Sequence, residues 1–240
     1  MSEHTVAAFD EELSELAVRV AQMGGLAEKA LTEAVLALGR GDEDLARRVI
    51  AADARVDDLE REIEERAVRT IARRQPMAGD LREIMTAIKI ASDLERIGDL
   101  AKNIAKRSLA VHGQAGVLHA VRGIDRMSRM ALEQLRCVLD AYAQRDVESA
   151  LEVWRQDADL DAMYTSIFRE LLTYMLEDPR AISFGTHLMF AAKNIERIGD
   201  HTTNVAEMVY YLVRGEPLRD VRPKKDSSIS AIAGLTAEDG

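Results

Sequence analysis

A five-residue word is written twice in this 240-residue chain. Glu95-Arg96-Ile97-Gly98-Asp99 returns as Glu196-Arg197-Ile198-Gly199-Asp200, and each copy is followed four residues later by an asparagine, Asn103 or Asn204. The copies lie about 101 residues apart, close to half of the patterned chain. Repetition at a fixed interval constrains a fold more than any single motif, because each copy builds the same local unit. The likeness extends well outside the word. At a shift of about 104 residues, Met23, Ala27, Leu31, Ala37, Asp42, Ala46, Val49, Asp53 and Asp57 meet Met127, Ala131, Leu135, Ala141, Asp146, Ala150, Val153, Asp157 and Asp161. The shift shortens to about 103 at Pro76 and Pro179 and to about 101 at the acidic word, so the length changes fall in turns.

Apolar residues recur at steps of three and four almost continuously from Val6 to Val213, the period of a helix with one buried face. The breaks carry turn chemistry. Asp42 and Asp146 are placed as N-caps, Pro76 and Pro179 interrupt the pattern, His112 to Gly116 reads as a linker, and Gly215-Glu216-Pro217 ends the last helix. Six helices are expected, near 5–38, 42–74, 77–111, 117–143, 146–177 and 180–214. Short connections force antiparallel neighbours. The expected fold is all-α: two tandem, sequence-related three-helix bundles over residues 1–112 and 117–214. The polar, unpatterned stretch 215–240 is expected to be a disordered tail whose removal after about residue 216 leaves the fold intact.

Composition agrees and sets limits. Aromatics are 4% of the chain and prolines number four, and helix formers dominate. A formal net charge of -10 argues against nucleic-acid binding, which needs a basic footprint. The single cysteine, Cys137, cannot form an intrachain disulfide and is expected to be a small core residue. No apolar run of about 18 residues and no signal-like start are found, so a soluble, cytoplasmic protein is expected.

A duplication that preserved only packing would preserve apolar residues, yet here carboxylates are kept. Residues four apart on a helix advance by about 40°, so Glu95, Asp99 and Asn103 form one stripe, and Glu196, Asp200 and Asn204 its twin. Asp57 and Glu95 each lie about 19 residues from the turn at Pro76, and Asp53 and Asp99 about 23, which sets them level across the hairpin at about 1.5 Å per residue. Around Pro179, Asp161 pairs with Glu196 and Asp157 with Asp200 by the same reckoning. Each hairpin thus gathers four carboxylates. Like charges at this spacing destabilise a helix by about 0.2–0.5 kcal/mol per pair. A bound hard cation such as Mg²⁺, Mn²⁺, Ca²⁺ or iron, held by these carboxylates with Asn103 in the first half and Asn204 in the second, would compensate. The alternative is a solvated acidic ridge neutralised by Lys102, Lys106, Arg96 and Arg197. Gly98 and Gly199 sit mid-helix, where close helix approach or access to the stripe would explain them.

These segments resemble the PhoU family of phosphate-signalling regulators. The resemblance rests on Asp53 through Glu60, Gln75 through Arg82, Asp93 through Lys106 and Asn194 through Tyr210, and spans about residues 10 to 214. It implies a fold of two similar three-helix bundles, a homodimer, and metal binding at Glu95/Asp99 and Glu196/Asp200 with Asp53/Asp57 and Asp157/Asp161 opposite. It also implies a cytoplasmic adaptor that reaches the membrane through its partners. Those partners are the ATPase subunit of a phosphate ABC transporter and a phosphate-sensing histidine kinase, with repression of phosphate-starvation genes when phosphate is plentiful. One departure is internal. The second half reads Ser183-Phe184-Gly185 near the place of Asp80-Leu81-Arg82, so the halves need not bind partners equivalently.

Catalytic readings fare worse. A dinuclear carboxylate enzyme in a helical bundle needs Glu-x-x-His pairs, and none of His4, His112, His119, His187 and His201 has glutamate three residues before it. No His-Glu-x-x-His or phosphate-binding glycine loop occurs. A non-enzymatic regulator is expected, with a helical accessory protein of another phosphate transporter as the alternative.

Overall fold

The structure, a computed structural model, describes residues 2–111, 118–220 and 222. The linker expected at 112–116 lies outside the described residues, as does most of the segment expected to be a disordered tail. Six long helices are seen: α1 (Ser2–Arg40), α2 (Glu43–Arg74), α3 (Gly79–Ala110), α4 (Leu118–Gln144), α5 (Val147–Glu177) and α6 (Ile182–Arg214), with a 3₁₀ turn at Pro179–Ala181 before α6. Among the described residues there is no strand, and no helix is long and apolar enough to cross a membrane.

The turns follow their chemistry. Asp42 caps α2 by accepting from the Leu45 N–H at 2.9 Å, and Asp146 caps α5 by accepting from Glu148 and Ser149. These bonds satisfy orphan donors of the first turn. Gly41 before the first cap has φ +64°, and its counterpart Arg145 adopts +54° without the freedom of glycine. Asp178 accepts from the Arg180 N–H, with Pro179 opening the 3₁₀ turn. Gly215 closes α6 in the left-handed region.

The duplicated apolar positions are the core. Met23 and Met127, Ala27 and Ala131, Leu31 and Leu135, Ala46 and Ala150, and Val49 and Val153 are all buried. In the first half α2 packs on α1 and α3, and in the second α5 packs on α4 and α6. The halves join where α1 meets α4 and α3 meets α6, leaving α2 and α5 on the outside. Helices α3 and α6 run antiparallel. Arg82 at the start of α3 lies over Tyr211 and reaches the Leu212 carbonyl. At the other end of α3, Arg107 stacks on Phe190 and contacts His187.

Cys137 departs from expectation and is exposed. The buried stripe of α4 runs through Ala131, Leu135 and Val138, and Cys137 lies two residues, about 200° of helical turn, from Leu135. It lines a groove between α4 and α5 with Glu133, Asp140 and Glu152, whose charges, after burial, push the thiol above its ordinary value.

Candidate functional site

The first acidic cluster lies between α2 and α3. Lys102 on α3 bridges the two helices, donating to Asp53 of α2 and to Asp99 of its own helix, the latter at 2.5 Å. Burial opposes the lysine's charge, yet the two carboxylates hold the ammonium above its ordinary value. Asp53 is buried at 9% exposure, while Asp57, Glu95 and Asp99 are half-buried. Glu95 pairs with Arg96 at 3.4 Å. Burial first, and the charges of Asp99, Glu60 and Asp57 after it, hold the Glu95 carboxyl above the usual range, against the pull of Arg96. Asp57 of α2 and Asp99 of α3 thus both act on Glu95 through their charge.

The second cluster, between α5 and α6, is deeper. Asp157, Asp161 and Glu196 are exposed by only 2%, 3% and 5%, and Asp200 is half-buried. Thr203 stands where the first half has Lys102 and donates to Asp157 at 3.3 Å and to the Gly199 carbonyl. The cation comes from elsewhere in the chain. Arg222 Nε donates to Asp157 Oδ2 at 2.8 Å, and its Nη2 lies 2.8 Å from Asp200 Oδ1. Lys193 donates to Glu196 Oε1 at 2.9 Å, whereas Glu196 Oε2 is buried with no hydrogen-bond partner. Burial pushes the Glu196 carboxyl upward, Lys193 opposes it, and Asp200 and Asp161 add to it.

The glycines let α3 and α6 approach these acids. A methyl group at Gly98 would sit 3.4 Å from Val56 Cγ1 and 3.7 Å from Asp53 Oδ1. At Gly199 it would collide with Leu160 Cδ2 and sit 3.6 Å from Asp157 Oδ1. Val56 and Leu160 are counterparts in the repeat, so the two clusters have one architecture with different fillings.

Asn204 is engaged outside its cluster. Asn204 donates to Asp93 of α3 at 3.1 Å, and His201 Nδ1 contacts the same oxygen at 2.8 Å. The 40° drift at each four-residue step carries Asn204 about 80° from Glu196, toward α3 instead of α5. Asn103 is half-buried on α3. Glu207, the acidic replacement for Lys106, accepts from the Trp154 indole at 3.1 Å.

The donor set is all carboxylate and suits a hard cation. The positions between the acids are taken by Lys102 and Arg222. Among the described residues, no three carboxylate, imidazole or thiol groups stand arranged to hold a metal ion. The donor type alone suits a hard cation; in this structure Lys102 and Arg222 engage the acids in its place. Sequence reasoning named Lys102 as a neutraliser but missed Arg222, which lies beyond the last helical period.

The family model described as the PhoU domain matches residues 20–108 and again 124–209, one match per bundle. The chain is 54% identical over 233 residues to the phosphate-specific transport system accessory protein PhoU homolog of Rhizobium meliloti, covering 97% of this chain and 98% of the relative. It is 39% identical to the phosphate-specific transport system accessory protein PhoU of Escherichia coli, covering 92% of this chain and 91% of the relative. The crystal structure of PhoU from Pseudomonas aeruginosa superposes with a TM-score of 0.84 at 41% identity, over 87% of this chain and all of that one. Two matched repeats, near-complete coverage and the shared architecture make this chain a member of the PhoU family.

Proposed function

We propose that this chain is a non-enzymatic negative regulator of phosphate uptake and of phosphate-starvation genes. It acts as a metal-binding adaptor between a phosphate ABC transporter and a sensor histidine kinase. One observation carries the reading. The likeness to proteins named as accessory to phosphate-specific transport covers nearly the full length of both partners in the comparison. An accessory role needs surfaces instead of a reaction centre, and the duplicated bundles supply two related but unequal faces. The chain would work in the cytoplasm as a homodimer, brought to the membrane by its partners.

In this reading Asp53, Asp57, Glu95 and Asp99 would hold one hard cation, and Asp157, Asp161, Glu196 and Asp200 another. Bound metal would supply positive charge that offsets the repulsion of four acids gathered across a hairpin. The chain's own part is done by α2 with α3 and by α5 with α6, which hold the acids level, and by Gly98 and Gly199, which keep the helices close.

Co-purification tests the adaptor role. The full-length chain should retain both the transporter's ATPase subunit and the kinase's sensory region in phosphate-replete buffer. Retention of neither contradicts it. Repeating the capture with Asp99→Asn and Asp200→Asn separates a signalling role of the stripes, which would lose a partner, from a role in stability alone.

A further inference from the structure

The second acidic cluster holds a cation that belongs to no helix. Arg222 lies eight residues beyond the end of α6 at Arg214, yet its side chain is only 17% exposed and bridges Asp157 of α5 to Asp200 of α6. Leu218, on the way back from the end of α6, packs against the hydrophobic core. The repeat explains why a distant residue is needed. Thr203 replaces the lysine that neutralises the first cluster and offers a hydroxyl where Asp157, almost fully buried, needs a charge. A guanidinium suits the place better than an ammonium would, since it is weakly hydrated and spreads its charge over a planar group that donates to Asp157 through Nε while Nη2 forms an ion pair with Asp200 outside hydrogen-bond geometry.

We propose that Arg222 is the resident cation of the second site, a latch delivered by the C-terminal segment, and that a divalent metal reaches Asp157 and Asp200 only when Arg222 withdraws. The metal half of this inference rests on the reading given under Proposed function. The same two carboxylates cannot serve the guanidinium and a metal together, so docking of the segment and loading of the site exclude each other. The first site differs in where its cation comes from: Lys102 belongs to α3 itself, and three of its four acids are half-buried while Asp53 is buried. The duplication therefore yields one site neutralised from within its own hairpin and one neutralised by the chain's C-terminal segment. Glu196 Oε2, buried and without a hydrogen-bond partner, is a carboxylate oxygen that Arg222 leaves free to ligate a cation.

The test uses Mn²⁺ as the probe and the full-length protein, with two readouts. Trp154, the only tryptophan in the sequence, bonds Glu207, whose charge also acts on Arg222. Quenching of its fluorescence by paramagnetic Mn²⁺ therefore reports on the second site. Loss of the free Mn²⁺ electron paramagnetic signal reports binding anywhere. The wild type should take up Mn²⁺ with little quenching of Trp154. Arg222→Ala should quench at Mn²⁺ concentrations at least about tenfold lower, and Asp157→Asn added to it should abolish the gain. Quenching curves that coincide for wild type and Arg222→Ala would overturn the proposal while leaving the metal reading standing. No uptake of Mn²⁺ by either chain would overturn the metal reading and the competition with it. The latch itself is then decided by melting in metal-free buffer. Arg222→Ala below wild type, with Arg222→Lys between them, supports it, and equal melting of all three overturns it.

Discussion

The two acidic clusters descend from one unit and have solved the same electrostatic problem differently. In the first, Lys102 lies three residues from Asp99 on the same helix and reaches across to Asp53, and most of the acids retain contact with water. In the second, three carboxylates are buried and the principal counter-cation arrives from beyond the last helix. The difference teaches that depth and counterion are linked. Acids left half-exposed tolerate a local, hydrated ammonium, whereas acids withdrawn from water require a partner held in fixed geometry. It also shows that a duplicated motif can keep its carboxylates and lose its symmetry through a single position, Lys102 against Thr203.

The largest expected effect comes from removing the distant cation. The expectation that everything after residue 216 is dispensable is corrected by Leu218, which packs on the core, and by Arg222, which pairs with Asp157 and Asp200; ending the chain there removes both and should cost about 2–4 kcal/mol, since breaking a buried pair leaves a charge unpaired. At this size that is a fall in melting temperature of roughly 5–12 °C. The equivalent loss in the first site, Lys102→Ala, should cost less, about 1–2 kcal/mol, because Asp53 and Asp99 are each more exposed than Asp157 and Asp200 and are better solvated once unpaired. Urea denaturation of both variants measures the contrast, and a larger loss for Lys102→Ala would reverse it.

The paired glycines sharpen the comparison at a smaller scale. Gly199→Ala drives a methyl group into Leu160, which is fully buried, and should destabilise by about 1–3 kcal/mol. Gly98→Ala meets Val56 at an ordinary separation and gains helix propensity, so it should be neutral or stabilising by up to about 1 kcal/mol. Equal effects in thermal melts would show that the two hairpins are packed alike.

The smallest effect is a pH dependence. A carboxyl held above its ordinary value binds its proton more tightly in the folded state, so its ionised form costs stability at neutral pH. That cost vanishes as pH falls through the raised value toward the ordinary 4.5. Glu196→Gln should therefore melt above wild type at pH 7, with the gain fading toward pH 4.5. Glu95→Gln should show the same sign and a smaller gain, because Glu95 is less buried. Melting curves across pH 4–8 check both, and a gain that grows on acidification would contradict the assignment.

Much of this was legible in the sequence because helices write their buried face in local periodicity. The six helices, the caps at Asp42 and Asp146 and the level pairing of Asp57 with Glu95 and of Asp161 with Glu196 follow from spacing alone. Contacts that depend on the relative rotation of two helices were not. Asn204 reads as the third member of its stripe, but the drift per turn delivers it to Asp93 across the α3–α6 interface. Cys137 looked core-facing until α4 was seen to bury the neighbouring Val138 instead. Arg222 had no periodic signal at all, since a residue outside the helices announces its contact only through where the backbone returns. Its one sequence cue was indirect: the second half lacks a basic residue at the place of Lys102.

The central claim is that Arg222 and Asp157 form the functional pair of the second site. A double-mutant cycle on the full-length protein tests it most directly, comparing wild type, Arg222→Ala, Asp157→Asn and the double variant in metal-free urea denaturation. A coupling of about 1–3 kcal/mol is expected, with the double variant more stable than Arg222→Ala because the unpaired buried charge is gone. Effects that add to within about 0.5 kcal/mol would contradict it.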